Sequence, residues 1–310
     1  MSERLVIGLN AVIASLQNIS PRVLCVEREG GWGLPFGQFD PSLHRTFDIG
    51  LRAFVKKQAA VPLGYVEQLY TFGDMGRESP RATMKDADPT DRVISVGYLA
   101  LSPTMILSAR QKAAWHDWYD YFPWEDWRAG PPQSLTHKII PALREWADTA
   151  DRRARLRASF ATEGVLWQEE RALERYELMY EAGLVEEAVR DTGSRAHPLS
   201  DIGRPMLSDH RRILATAIGR LRGKLRYRPI VFQMMPPLFT LTQLQTAVET
   251  ILGFSVHKQN FRRGIELADL VAKTDKLSEA TGGRPAALYR PSDLAFEKYA
   301  PGLPLPRLKQ

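Results

Sequence analysis

The sequence predicts an α+β chain: a mixed-sheet front, a helical middle, and a C-terminal pair of short helices followed by a hairpin. Three observations carry this. Residues 4–16, 22–27, 65–72 and 92–101 alternate or run β-branched between turn residues, as strands do. One helix-period stretch, Leu43 to Ala60, falls among them, and strand–strand–loop–helix–strand order gives a mixed sheet rather than a doubly wound one. From Pro131 a helix-rich stretch runs through residue 192, and helical spacing returns in His210 to Arg226 and in the pair from Thr240 to Ala272, ahead of the turn at Gly282-Gly283.

Taken in order, Leu5-Val6-Ile7 and Arg22 to Val26 open the sheet, and GGWGLPFGQFD follows as a glycine-dense loop. Phe47, Leu51, Phe54 and Val55 give the first helix its apolar face. The alternating runs Tyr65 to Phe72 and Arg92 to Leu101 complete the strands. Next, Trp115, Trp118, Trp124 and Trp127 crowd together among tyrosines and acids. Such a cluster serves as a base-stacking platform or as a plug between domains, and the surrounding acids favour the plug. The stretch 131–192, with Leu143, Trp146, Leu156, Phe160, Leu173 and Tyr176 at helical spacing, reads as two or three helices that pack on the domains or on a second subunit. The expected units are therefore residues 1–128, a helical insertion at 129–205, and a C-terminal domain at 206–310.

The C-terminal pair has clear punctuation. Thr240 and Gln243 form a Thr-x-x-Gln capping box, and Leu244, Val248, Ile251 and Leu252 make one stripe. Gly253 suits the left-handed residue that ends a helix. Ser255 is the expected cap of the second helix, whose inward residues are Phe261, Ile265, Ala268 and Ala272. Its early residues Lys258, Asn260, Arg262 and Arg263 point elsewhere. Pro285 to Tyr289 then reads as a wing strand, with Arg284 at the tip. This is a winged helix-turn-helix: Arg and Asn suit guanine and adenine edges, and the wing tip suits a minor groove or a phosphate. The same spacing also describes an ordinary helical hairpin with a solvated basic face. Charge favours DNA, because residues 206–310 hold 17 Lys+Arg against 8 Asp+Glu while the whole chain is only +6. Arg211, Arg212, Arg220, Arg222, Lys224 and Arg226 contribute to that count and are expected to extend the DNA footprint.

Composition sets bounds. At 310 residues with 44% hydrophobic and 25% charged residues, the chain has room for two cored domains. No apolar run approaches bilayer length, and the start lacks a signal-peptide h-region, so no membrane partner is expected. The one cysteine, Cys25, excludes an intrachain disulfide framework or a multi-cysteine zinc site; it reads as a buried small hydrophobe in a reducing cytoplasm. None of the 6 histidines has a partner at metal-ligand spacing.

The front half resembles a Nudix domain through Leu34-Pro35-Phe36-Gly37, the following helix and the strand Val93 to Leu99. Anchored on Arg52, however, the family's acidic box reads Ala53, Phe54, Lys56, Lys57 and Ala59, with His44 in the first glutamate's slot. Gly37 also sits one residue farther from the arginine than the pattern asks. Nudix hydrolysis needs several carboxylates to hold Mg²⁺, which neutralises the diphosphate and activates water. Lysines repel that cation but bind phosphate as point charges. The expected catalytic residues are therefore none, and no metal or cofactor is required. The candidate effector contacts are Arg52, Lys56, Lys57, Gly37 and Phe72. A solvated helix end is the plainer account of the two lysines.

End to end, the chain resembles the Nrt-type Nudix-related transcriptional regulators, and among them the NadQ-like repressors of NAD biosynthesis. The run Asp209 to Gln245, VHKQNFRRGIEL and GRPAALY carry that resemblance, closely over 205–295 and loosely over 1–125. It implies a cytoplasmic homodimer that binds a near-palindromic operator in double-stranded DNA and senses ATP, NAD or ADP-ribose in a catalytically dead front domain. It implies DNA contacts at Lys258, Asn260, Arg262, Arg263 and Arg284. The rival expectations are an active ADP-ribose or dinucleotide pyrophosphatase, and a regulator of another pathway such as sugar catabolism.

Overall fold

In a computed structural model, which describes residues 4–17, 20–59, 61–78, 91–105, 107, 112–193, 198–279, 285–297 and 299–306, a seven-stranded mixed sheet forms the front half. Its strands are β1 (Leu5–Gln17), β2 (Ser20–Arg28), β3 (Gly31–Gly33), β4 (Phe36–Gln38), β5 (Val66–Phe72), β6 (Arg92–Leu101) and β7 (Ala113–Asp117). The order is β3-β2-β1-β6-β5, with β4 also on β1 and β7 also on β2. β1 runs parallel to β6, from Leu5 opposite Arg92 to Ala14 opposite Leu101, and every other pairing is antiparallel. At 13 residues β1 is long enough to pair with β4 at Gly8 to Asn10 and with β2 from Ala14 to Gln17 along the same edge. The four long strands stand where the sequence puts them. β3, β4 and β7 are only 3, 3 and 5 residues long, too short to show a period.

Alternation along β1 sends Leu9, Ala11 and Ile13 to one face and Val12 and Ala14 to the other. Helix α1 (Phe47–Gln58) covers the first face with Leu51 and Val55, starting at Thr46, whose hydroxyl accepts the Ile49 amide at 3.2 Å. The middle region forms a short π-helix (Leu135–Ile139) and helices α2 (Ile140–Trp146), α3 (Ala150–Phe160), α4 (Ala172–Glu181) and α5 (Glu186–Thr192). Helix α6 (His210–Leu225) covers the second sheet face and packs on α4 as well. The sandwich is α/β/α, and its second helical layer comes from beyond the insertion. The boundary expected at 206 therefore precedes a helix that belongs to the sheet's packing. No helix among the described residues is long and apolar enough to cross a membrane.

The tryptophan cluster sits where these parts meet. Trp118 and Trp124 are buried, and the Tyr119 hydroxyl donates to the Thr250 carbonyl at 2.8 Å. At its centre Glu125, wholly buried, accepts from Arg175 Nε at 2.5 Å and Nη2 at 2.8 Å and also pairs with Arg222. Burial pushes this carboxyl up, but the two guanidiniums outweigh it and hold it below its ordinary value. Cys25 is buried against Tyr121, and burial pushes its thiol up to about 12, the state of an inert core residue.

Candidate nucleic-acid interface and effector face

Helix α7 (Leu241–Leu252) begins with the expected box: Gln243 N donates to Thr240 Oγ1 at 3.1 Å, and Thr240 N donates to Gln243 Oε1 at 2.7 Å. Its buried stripe ends at Gly253, whose φ of +82° is left-handed. The turn is stapled by Glu249, which accepts the Val256 amide at 2.8 Å, and by Gln245, which donates to the Val256 carbonyl at 3.1 Å. Helix α8 (Lys258–Leu267) starts after His257 rather than after Ser255. The reason is a hydrophobic staple: Val256 precedes the cap, Phe261 is the fourth helical residue, and both are buried in one cluster. Phe261 and Ile265 face the core as expected. Ala272 does not continue that face, because Asp269 takes a left-handed φ of +51° and the chain turns into β8 (Val271–Leu277).

β8 pairs antiparallel with β9 (Ala287–Pro291), and Tyr289 exchanges backbone hydrogen bonds with Phe239 at 2.8 and 3.0 Å, which ties the wing to the start of α7. Lys273 and Lys276 on β8 are exposed. Arg284 and the Gly282-Gly283 tip lie outside the described residues. On α8, Lys258, Asn260 and Arg263 are exposed; Asn260 and Arg263 lie away from the stripe of Phe261 and Ile265, whereas Lys258, three and seven residues before those two, stands exposed at the start of the helix. Arg262 is half-buried and leans back on α7, donating from Nη2 to Thr242 Oγ1 at 3.0 Å. Gln259 was missed by sequence reading although helical spacing places it one turn before Arg263 on the exposed face.

The cations of α6 do not add to this surface. Arg211 is buried on Glu187 (3.2 Å), Arg222 on Glu125, and Lys224 on Glu67 (2.8 Å). Arg212 pairs with Asp74, Glu177 and Asp209, Arg220 with Glu67, and Arg226 with Glu169. The expected extension of the footprint is corrected accordingly: 6 of the 17 cations in residues 206–310 neutralise acids of the front and middle regions.

The proposed effector contacts occupy different places. Arg52, Lys56 and Lys57 are exposed on α1; Arg52 is held by Asp48 at 3.0 Å and by the Leu63 carbonyl at 3.2 Å. Gly37 lies under Phe54, where an added Cβ would stand 2.6 Å from the ring, so its role here is close packing of β4 on α1. Phe72 is buried on the opposite sheet face, beneath the Arg212 guanidinium, and is not brought together with the α1 cations. Gln58, unmarked by any pattern, fixes the Leu-Pro-Phe-Gly loop to α1 by accepting Phe36 N at 3.3 Å and donating to Phe36 O at 2.5 Å. Among the described residues no three His, Cys, Asp or Glu side chains are grouped to hold a metal ion.

Residues 231–290 match the family model described as NrtR DNA-binding winged helix domain. The ADPR responsive transcriptional repressor NtrR of Acinetobacter baylyi is 46% identical over 82 residues, which is 26% of this chain and 32% of that protein. The chain thus spans about a third of the length of that curated relative. Among solved structures, Shewanella oneidensis NrtR complexed with a 27mer DNA aligns over 98% of this chain and 99% of its own, with a TM-score of 0.56 at 20% identity. A MutT/nudix family protein from Enterococcus faecalis aligns over 94% of this chain and 88% of its own, with a TM-score of 0.50 at 17% identity. The fold is thereby that of a Nudix-like front joined to a winged helix.

Proposed function

We propose that this chain, which carries an NrtR-type winged helix at residues 231–290 and the fold of NrtR throughout, is a nucleotide-responsive transcriptional repressor. The observation that carries this reading is the face of α8: Gln259, Asn260 and Arg263 are exposed on a helix whose other side is locked into the core by Phe261 and Ile265. A rigid helix presenting amide and guanidinium groups is suited to base edges in a major groove. Lys258 and Arg262 flank that face, and Arg284 completes the proposed DNA contacts from the wing. A near-palindromic operator read by a cytoplasmic homodimer accords with the way such helices work in pairs. The genes controlled are those of NAD biosynthesis, which the resemblance to NadQ-like repressors supports.

The effector is an adenine nucleotide, and the A. baylyi relative's description as ADPR responsive favours ADP-ribose over ATP and NAD. The protein acts as a receptor rather than a hydrolase, because lysines and alanines stand where Mg²⁺ would need carboxylates. Gel shifts with promoter fragments of NAD-biosynthesis genes test the DNA reading. Arg263→Ala is expected to weaken binding by about 1–3 kcal/mol, and an unchanged affinity removes α8 from the interface. A magnesium-dependent assay on ADP-ribose tests the receptor reading, which pyrophosphate cleavage at enzymatic rates overturns.

A further inference from the structure

A cavity of about 520 Å³ lies between the β2–β3 hairpin and the segment that leads from α5 into α6. Its size is that of a small-molecule site. Trp32, Tyr121, Met206 and Leu207 supply apolar wall, and Arg190, Arg204 and Glu186 carry charge around it. The wall is stiff. The Trp32 ring packs on His116 with centroids 4.5 Å apart, and His116 Nδ1 shares a hydrogen bond with the Tyr121 hydroxyl at 2.7 Å. Gly30 and Gly31, at φ of +91° and +141°, bring bare backbone to the rim.

The charges divide into those already used and those available. Glu187, also in the lining, is buried and neutralised by Arg211. Arg190 donates to Asp191 at 2.7 Å and to the carbonyls of Met206 and Ser208 at 2.8 Å each, which leaves part of its fork unused. Arg204 reaches Asp120 only at 3.5 Å and its side chain is 65% exposed, so its guanidinium is available to an incoming anion. Glu186, exposed in the same lining, carries the opposite charge. Flat apolar wall beside an available planar cation suits a heteroaromatic ring that carries a phosphate.

We propose that this cavity is where the nucleotide effector binds, its ring against Trp32 and its phosphate at Arg204; the proposal rests on the effector reading above. Position supports it. Arg190 grips Met206 and Ser208, the residues that lead into α6, so a ligand here bears directly on the start of that helix. α6 has 16 residues and extends about 24 Å. At its far end Arg222 Nε donates to the Ile251 carbonyl at 2.9 Å, one residue short of the end of α7. The α1 cations stand on the helix that covers the opposite face of the sheet from α6.

The test is calorimetric titration of the full chain with ADP-ribose, NAD and ATP in turn, on wild type, Arg204→Glu, Glu186→Gln, Trp32→Leu and Lys56→Ala. Arg204 and Glu186 are surface side chains, so their variants keep the test valid even where Trp32→Leu disturbs packing. For the nucleotide that binds wild type, Arg204→Glu is expected to cost at least about tenfold in affinity, a loss of about 1.4 kcal/mol. Glu186→Gln is expected to tighten binding, and Lys56→Ala to leave it unchanged. Equal binding by wild type and Arg204→Glu, with loss in Lys56→Ala, overturns the cavity assignment and leaves the effector reading standing. Binding of none of the three nucleotides to wild type overturns both.

Discussion

Glu125 shows how one residue sets the geometry of the DNA-binding turn. Its carbonyl oxygen lies 2.2 Å from where a Cβ on Gly253 would stand, and its carboxylate neutralises Arg175 and Arg222 where water is excluded. Removing one partner of a buried ion group leaves an uncompensated charge and costs about 3–5 kcal/mol. Glu125→Gln is therefore expected to lower the unfolding free energy obtained from urea titration by an amount of that order, and a value within error of wild type would show the guanidiniums to be compensated elsewhere. Asp209 works in the opposite sense. Burial, partly offset by Arg212 and Arg77, pushes its carboxyl up to about 7. Between the ordinary carboxylate value near about 4 and 7 the folded chain holds a proton that the unfolded chain does not, so this group lowers stability as pH rises through that window and adds no slope above it. Asp209→Asn is expected to shrink the difference between urea midpoints at pH 5 and pH 8. An identical difference in both proteins would exclude Asp209 as its source. Gly253 was legible as a helix end from its type and place. Glu125 was not, since its partners Arg175 and Arg222 are 50 and 97 residues away and it reads as one more surface acid.

At the scale of elements, α6 is where sequence and structure part. Its Ile213, Leu214, Ala217, Ile218, Leu221 and Leu225 are visible as a stripe, but its arginines lie on several sides and read as a basic surface. Charge in a sequence gives sign without partner, and the acids that meet these cations come from β5, α4, α5 and the loops around them. By contrast, α7 and α8 carried their own evidence: a capping box, a left-handed glycine and a clean apolar stripe are all local. The start of α8 shifted by two residues because a staple between Val256 and Phe261 outweighs an isolated serine cap. Salt dependence separates the two kinds of cation. Each phosphate contact contributes about one to the slope of log affinity against log salt. Lys276→Ala, on the wing strand, is expected to reduce that slope by about one. Arg220→Ala, on α6 beside Glu67, is expected to leave the slope as it is. Equal changes in both would return α6 to the DNA surface.

Across the whole molecule, the winged helix is not a bead on a linker. One buried cluster runs from Val12 and Val23 on the sheet through the tryptophan plug and α6 to Ile251, Phe261 and Ile265. The segment after β9 closes the join: the Leu303 amide donates to the Leu225 carbonyl at 2.9 Å, and Pro304 sits against Gly264 of α8, where a Cβ would stand 2.5 Å from the proline ring. Composition divides the sequence into units near 129 and 206, because the period changes from two to helical and the charge shifts there. The contacts that bind the units, such as Tyr119 to Thr250, span 131 residues and leave no local trace. A shared core predicts shared unfolding. Trp118, Trp124, Trp127 and Trp167 lie at the junction, so intrinsic fluorescence reports on the join, whereas far-ultraviolet circular dichroism reports on helices throughout. The two signals are expected to trace one coincident urea transition, with a single calorimetric peak on heating. A winged helix that melts separately would instead give a dichroism step displaced from the fluorescence step. That outcome would mean that α6 and the plug do not hold α7 and α8 rigidly to the sheet, and a ligand at the α5–α6 junction would then have no mechanical route to the DNA-binding face.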